Sequence, residues 1–160
     1  MIIRPSTLQD AAAMSEVQNR IIRIGDTTAH EVEYDAAFVA KHYVNGPEVI
    51  CSHVAEDDLG LIGFQSLGHH PALPENWGDI GSYVTPDRQR TGAGSALFAA
   101  TLSVARSHGI KAINATIRGD NMTGLSYYSR RGFVDYAQES GYQLKDGRVV
   151  GRVSKRFDIG

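Results

Sequence analysis

The sequence predicts an α+β (mixed α/β) fold: a central, mostly antiparallel sheet of about seven strands, flanked by about four helices. Three observations predict it. The hydrophobic patterning gives the element order β-α-α-β-β-β-α-β-α-β-β. Two tight turn signals, Asp57-Asp58-Leu59-Gly60 and Lys145-Asp146-Gly147, join strand-like runs into hairpins. Between them, residues 79–98 pass from a strand through a basic, glycine-rich turn into a helix, and a further strand at 111–117 completes a β-α-β crossover. At 160 residues, the chain fits one domain over 1–160 with one core.

The elements follow in order. Met1 to Arg4 reads as a first strand. Ser6-Thr7-Leu8-Gln9-Asp10 opens a helix, with Thr7 as cap and Asp10 near its positive end. Leu8, Ala11, Ala12, Val17, Ile21 and Ile24 form its expected buried face, and Gly25 ends it. A loop, Asp26-Thr27-Thr28-Ala29-His30-Glu31, leads to a second helix over about 35–44, stopped by Asn45-Gly46-Pro47. Strands at 49–55 and 61–67 follow, then a loop over 68–78 with two prolines, two histidines and Trp77. After the strand at 79–84 comes the long helix, closed by His108-Gly109. Beyond the strand at 111–117 lie a helix over 122–131 and two strands, about 133–142 and 149–157.

Composition excludes several classes. An apolar content of 42% and a net charge of −2 describe an ordinary soluble protein without the basic excess of a nucleic-acid binder. No apolar run approaches the roughly 20 residues of a membrane span. The N-terminus shows no charged segment followed by an apolar run, so no secretion signal is read. The single Cys51 excludes an internal disulfide, fits a reducing cytoplasm and reads as a buried structural thiol.

The chemistry concentrates in the turn Arg88-Gln89-Arg90-Thr91-Gly92-Ala93-Gly94-Ser95. Pro86 ends the preceding strand, and a helix begins at its far side. Free amides at a helix start, glycines without Cβ atoms and two guanidinium groups suit a phosphate-bearing polyanion. The bland alternative is a helix start with two solvated arginines. A Walker loop needs Gly-Lys-Ser/Thr, where this chain has Gly94-Ser95-Ala96. A dinucleotide fingerprint needs a small residue at Leu97 and an acid closing the next strand, which ends here in Arg118.

The stretch Gln89-Arg90-Thr91-Gly92-Ala93-Gly94 resembles the acyl-CoA signature of the GNAT acetyltransferase superfamily, Gln/Arg-x-x-Gly-x-Gly/Ala. A second stretch, Asn121 with Tyr128-Ser129-Arg130-Arg131-Gly132-Phe133, resembles that family's Asn, Tyr and Gly-Phe spacing. The resemblance is nearest to phosphinothricin and methionine sulfoximine N-acetyltransferase-like enzymes, through Asn19, Thr27-Thr28, Tyr83-Val84, Asn121 and the tail Gly141-Tyr142…Gly147-Arg148. Two positions depart from that subgroup. Asp79 stands where it usually has Glu, and Val149 and Gly151 replace an aromatic and an acid that border the acceptor.

The resemblance implies a sheet splayed at an acyl-CoA site and acetyl-CoA as co-substrate. It implies cofactor contacts from Ser82, Tyr83, Val84, Arg88, Gln89, Arg90, Thr91, Gly92, Ala93, Gly94, Ser95 and Asn121. It also implies a small-molecule amine acceptor and a homodimer. Asn121 reads equally as a helix cap.

Amide formation from a thioester needs a deprotonated amine, a polarised carbonyl and a protonated leaving thiolate. An alkyl amine titrates near 10.4, so it arrives charged. Asp79 is the candidate base, with Glu31 and Glu75 as reserves; its alternative is a strand end beside Gly78. Tyr128 is the candidate acid, selected over Tyr127 by its spacing to Gly132-Phe133; its alternative is a core aromatic. A backbone N–H between Ser82 and Val84 is expected to polarise the carbonyl. Thr28, Glu31, His69 and Trp77, on the two loops expected to flank the cleft, are the candidate acceptor contacts. The histidines lack metal-ligand spacing, so no metal is expected. The expected function is acetyl-CoA-dependent N-acetylation of a small amine. Acetylation of protein N-termini or lysines, and non-catalytic acyl-CoA binding, stay open.

Overall fold

The computed structural model describes residues 1–28 and 30–160; Ala29, within the loop after the first helix, lies outside them. Among the described residues there are seven strands: β1 (Ile2–Pro5), β2 (Val49–Asp57), β3 (Gly60–Gly68), β4 (Trp77–Val84), β5 (Ala112–Arg118), β6 (Val134–Gln143) and β7 (Val149–Asp158). They form one mixed sheet in the order β1-β2-β3-β4-β5-β7-β6. Only β4 and β5 run parallel, joined by a right-sized crossover through a helix; the other neighbours are antiparallel. The helices are α1 (Ala11–Ile24), α2 (Ala36–Val39), α3 (Ala93–Ser107) and α4 (Met122–Arg130). The fold class and element order expected from the sequence are those observed.

The two faces of the sheet carry separate cores. On one, Met14 and Val17 of α1 and Val39 of α2 pack with Tyr43, Val54 and Phe64. On the other, Phe98 and Ala105 of α3 and Tyr128 of α4 pack with Leu67, Ile80, Ile113 and Phe133. A register shift between Ala55 and Glu56 inserts Ile62 as an extra residue of β3. That bulge lets Ile62 join Ala93 and Leu97 beneath α3 while Phe64, two residues on, faces α1.

Several local expectations are corrected. Residues 8–10 form a 3-10 turn before α1. The Asp10 carboxylate accepts from Thr7 N at 2.8 Å and from both Arg4 terminal nitrogens at 2.8 and 2.9 Å. Leu8 and Ile24 are exposed, and Ala12 with them, because the buried face of α1 is rotated toward Ser15, Gln18 and Asn19. Those polar residues are buried because each is bonded: Asn19 clamps Tyr34 at both N and O, at 2.8 and 2.7 Å, and Gln18 Nε2 donates to Tyr43 Oη at 2.8 Å. The second helix is α-helical only to Val39 and then widens into a π-turn over Ala40–Asn45. β4 begins two residues earlier than expected, at Trp77, so Asp79 lies inside the strand.

β3 and β4 approach closely where the site is built. A Cβ on Gly63 would lie 2.7 Å from the Tyr83 carbonyl oxygen and 3.2 Å from Val84 Cα. Gly63→Ala is expected to force the strands apart and to lower stability by about 1–3 kcal/mol in urea denaturation.

Candidate active site

β4 pairs with β5 only at Trp77↔Ala112, Gly78↔Ile113 and Asp79↔Asn114. Beyond Asp79, β4 stays with β3 as far as Val84, while β5 goes on beside β7. The strands therefore diverge and open a cleft of about 1350 Å³. Thr85 N donates to Ile62 O at 2.9 Å. Alternation along an antiparallel ladder then points the amides of Tyr83 and Gly81 at β3 and those of Ser82 and Val84 into the cleft.

Side chains from α4 span the divergence. Tyr128 Oη lies 2.8 Å from Ser82 Oγ. Tyr127 Oη donates to the Gly94 carbonyl at 2.7 Å. Gln65, fully buried on β3, donates to both Ser82 Oγ and Tyr127 Oη, at 2.9 and 3.1 Å. Tyr127 and Tyr128 meet edge to face, 4.9 Å between centroids. Both neighbouring tyrosines thus line the cleft, although the spacing to Gly132-Phe133 singled out Tyr128 alone. Burial pushes the Tyr128 phenol well above its ordinary range, the Tyr127 charge adding to it, so it stays protonated.

The basic turn lies at one end of the cleft. Gly92 caps α3 with φ +89°, a left-handed geometry that favours glycine. The helical ladder starts with Ala96 N donating to Gly92 O, so the amides of Ala93, Gly94 and Ser95 precede it. Gly94 is small for a reason the sequence reading did not give: a Cβ there would lie 2.6 Å from Tyr127 Cε1. The Ala93 side chain is buried in the core beneath α3, leaving its backbone at the turn. Arg88 is drawn to Asp57 at 2.9 Å, and Thr91 Oγ1 donates to Arg88 O at 2.7 Å. Gln89, Arg90 and Ser95 line the cleft. Arg131, unforeseen as a site residue, arrives from the end of α4, donates to Ser95 Oγ at 3.1 Å and stacks over Tyr127 at 4.9 Å. This end gathers positive charge around a helix N-terminus.

Asp79 lines the same cleft. Burial raises its carboxyl above the ordinary range, opposed by an Asn114 Nδ2 donor at 2.8 Å and by the charge of His70. His69 and His70 border it from the loop after β3. Thr28 and His30 border it from the loop after α1; burial, and then the charge of His42, lower the His30 imidazole. That loop is clamped by Asn121 Nδ2 to Thr27 O at 2.7 Å and by the buried Arg118 to Thr28 O at 3.1 Å.

Two expected acceptor contacts lie elsewhere. Glu31 Oε1 accepts from Lys145 N at 2.8 Å, tying the loop to the β6–β7 turn. Trp77 meets Tyr136 edge to face and lies under the Arg156 guanidinium, 4.4 Å from it, where β4 and β5 still pair. Neither Glu31 nor Trp77, nor the reserve Glu75, lines the cleft. Asn121 caps α4, its Oδ1 accepting from Gly124 N at 3.0 Å, and also borders the cleft. Among the described residues no cluster of three or more His, Cys, Asp or Glu side chains is placed to hold a metal ion. Nor is any described helix long and apolar enough to cross a membrane.

Comparisons with known proteins place the sequence and the fold. The sequence model of the acetyltransferase (GNAT) family matches residues 16–133. Mycothiol acetyltransferase of Saccharomonospora viridis is 34% identical over 100 residues, which cover 54% of this chain and 33% of that protein. YwnH of Bacillus subtilis, provisionally named a phosphinothricin acetyltransferase, is 28% identical over 111 residues, which cover 67% of this chain and 63% of that protein. The chain thus spans from a third to just under two thirds of the length of these relatives. Among solved structures, a GNAT superfamily phosphinothricin acetyltransferase from Sinorhizobium meliloti, in complex with acetyl-CoA, superposes with a TM-score of 0.85 at 18% identity, over 99% of this chain and 88% of that one.

Asn121→Ala removes a helix cap and one of the two clamps on the loop together. It is expected to cost about 1 kcal/mol and to speed amide exchange across residues 26–33, measured by hydrogen–deuterium exchange. The chain belongs to the acetyltransferase (GNAT) family.

Proposed function

We propose that this chain is an acetyl-CoA-dependent N-acetyltransferase acting on the primary amine of a small molecule. One observation carries the proposal: a carboxyl raised by burial and a protonated phenol border one cleft, whose other end is a basic helix N-terminus. The resemblance to phosphinothricin acetyltransferase-like proteins supports an amino acid or a related amine as acceptor. The co-substrate and the homodimeric state also come from that resemblance, whereas the cytoplasmic location rests on the single Cys51, which suits a reducing compartment.

The residues fit the co-substrate. The amides of Ala93, Gly94 and Ser95, with Arg90 and Arg131 beside them, suit a pyrophosphate. Arg88 contributes through its place in the turn, since Asp57 already holds its charge. The outward amides of Ser82 and Val84 suit the amide-bearing arm, which would lie along β4 as an added strand, and Asn121 borders the same channel. When bound, acetyl-CoA supplies an activated thioester carbonyl. Tyr83, packed between Phe64 and the aromatic group around Tyr43, stiffens the strand that presents these amides.

Asp79 takes a proton from the acceptor ammonium, directly or through water, and leaves a neutral amine to attack. The raised carboxyl brings its proton affinity closer to that of the amine than an exposed aspartate would. Tyr128, fixed by Ser82 Oγ, returns a proton to the departing sulfur. A cleft-facing amide of β4 polarises the carbonyl.

The test is turnover of acetyl-CoA with a panel of amines, followed by thiol release. Asp79→Asn is expected to reduce kcat by about 10²–10⁴-fold with little change in the acetyl-CoA Kd. A base works in its deprotonated form, and this one has a raised pKa. Wild-type activity should therefore fall as pH drops through a value above the ordinary aspartate range of about 3.9. Full activity of Asp79→Asn would remove the assignment; binding of CoA without turnover of any amine would favour a binding module.

A further inference from the structure

Asp79 is held from behind by two residues that the proposed chemistry leaves unused. Asn114, on β5, is its cross-strand partner and is buried. Its Nδ2 donates to Asp79 Oδ1 at 2.8 Å and to Thr116 Oγ1 at 3.1 Å. Its Oδ1 accepts from the hydroxyl of Tyr136, on β6. Tyr136 is half exposed, and its ring is set edge-on against Trp77, 5.8 Å between centroids. Arg156 of β7 lies over the Trp77 ring and is held by Asp158 at 2.7 Å. A continuous line of contacts therefore runs from the cleft carboxyl through an amide to a phenol on an aromatic platform at the outer part of the sheet.

We propose that Asn114 and Tyr136 are positioning residues that hold the Asp79 carboxyl in its ionised, hydrogen-bonded state. The inference rests on the reading of Asp79 as the base. The physical argument lies in the amide's two ends. A carboxylate only accepts, so it needs Nδ2 turned toward it. A flipped amide would set Oδ1 against Asp79 Oδ1, two acceptors at hydrogen-bond distance, tolerable only if Asp79 carried a proton. Such an amide would favour the neutral acid and disable a base. The Tyr136 hydroxyl disfavours the flip, because turning the amide would lose its donation to Oδ1. Burial, with the Asp79 charge, keeps that phenol above its ordinary range against the pull of Arg156, so it remains a donor. The amide carries no proton between its ends, so this line orients Asp79 and does not drain it.

The groups facing Asp79 are His70 from the loop after β3, Tyr128 from α4 and Tyr136 from β6, with Arg156 of β7 behind Tyr136. His70 pulls the carboxyl down when charged and is unaltered in the variants below, so the Asn114 contribution is read as a difference between proteins.

The decisive experiment is ¹³C NMR titration of the Asp79 carboxyl in the free protein, comparing wild type, Tyr136→Phe and Asn114→Leu. Tyr136→Phe retains the ring and its packing, so it keeps the test open if Asn114→Leu does not fold. The expected result is a rise in the Asp79 pKa, about half a unit in Tyr136→Phe and about one unit in Asn114→Leu, as for loss of a hydrogen bond to a charged group. The acid limb of kcat/KM should rise in step, with activity recovering at high pH and the KM for acetyl-CoA unchanged. An Asp79 titration identical to wild type in folded Tyr136→Phe overturns the inference. Asp79→Asn separates the two readings. If it keeps the acid limb, Asp79 is not the base, whatever the carboxyl titration shows. If it abolishes the limb while the Tyr136→Phe titration is unmoved, only the positioning role fails.

Discussion

The parting of β4 from β5 is the constraint on which the rest of the molecule depends. Three residue pairs join the two strands, and after Asp79↔Asn114 each follows a different neighbour. A sheet that splits this way leaves main-chain donors facing a void, and such groups demand partners. Tyr127 and Tyr128 brace the opening from one face, through Gly94 O and Ser82 Oγ, with Gln65 bonded to both Tyr127 and Ser82 from within β3. The bracing leaves the outward amides of Ser82 and Val84 available. An added extended segment is the ligand form that satisfies them.

The same split sorts the electrostatics. Where the strands still pair, the cleft meets Asp79, whose carboxyl is raised by burial. Where they are farthest parted, it meets the start of α3 together with Arg90 and Arg131. An anion is attracted to the second end and repelled from the first, so a phosphate-bearing ligand has one favourable orientation along the groove. The loop after α1 borders the same cleft through Thr28 and His30. Arg118 and Asn121 at the β5–α4 junction, and the Lys145 amide and Arg148 in the β6–β7 turn, hold it from two places in the chain.

Much of this was legible in the sequence, for identifiable reasons. Element order follows from periodicity and from turn residues such as Asp57–Gly60, which act locally. The basic turn was legible because glycines, arginines and a helix start lie adjacent in the chain. What escaped was assembled at long range. Gln65 reads as an unremarkable polar residue in an apolar strand; only the meeting of β3 with α4 gives it a role. Arg131 is far in sequence from the turn whose charge it reinforces. Gly94 was legible as a position needing glycine, but the Tyr127 ring that requires it lies on another helix. Trp77 and Glu31 were placed by loop membership, which does not fix direction, and the cation and amide they bind draw them away from the cleft. The buried face of α1 was misjudged because periodicity counts apolar residues, whereas Ser15, Gln18 and Asn19 are buried through hydrogen bonds.

The most direct measurement is an amide-resolved titration of the free protein with CoA, following Ser82, Val84 and Ala93 to Ser95 by NMR shift and hydrogen exchange. The account predicts that these five amides move and become protected together, saturating at one equivalent per chain. Saturable CoA binding that leaves them unchanged while perturbing another surface would contradict it.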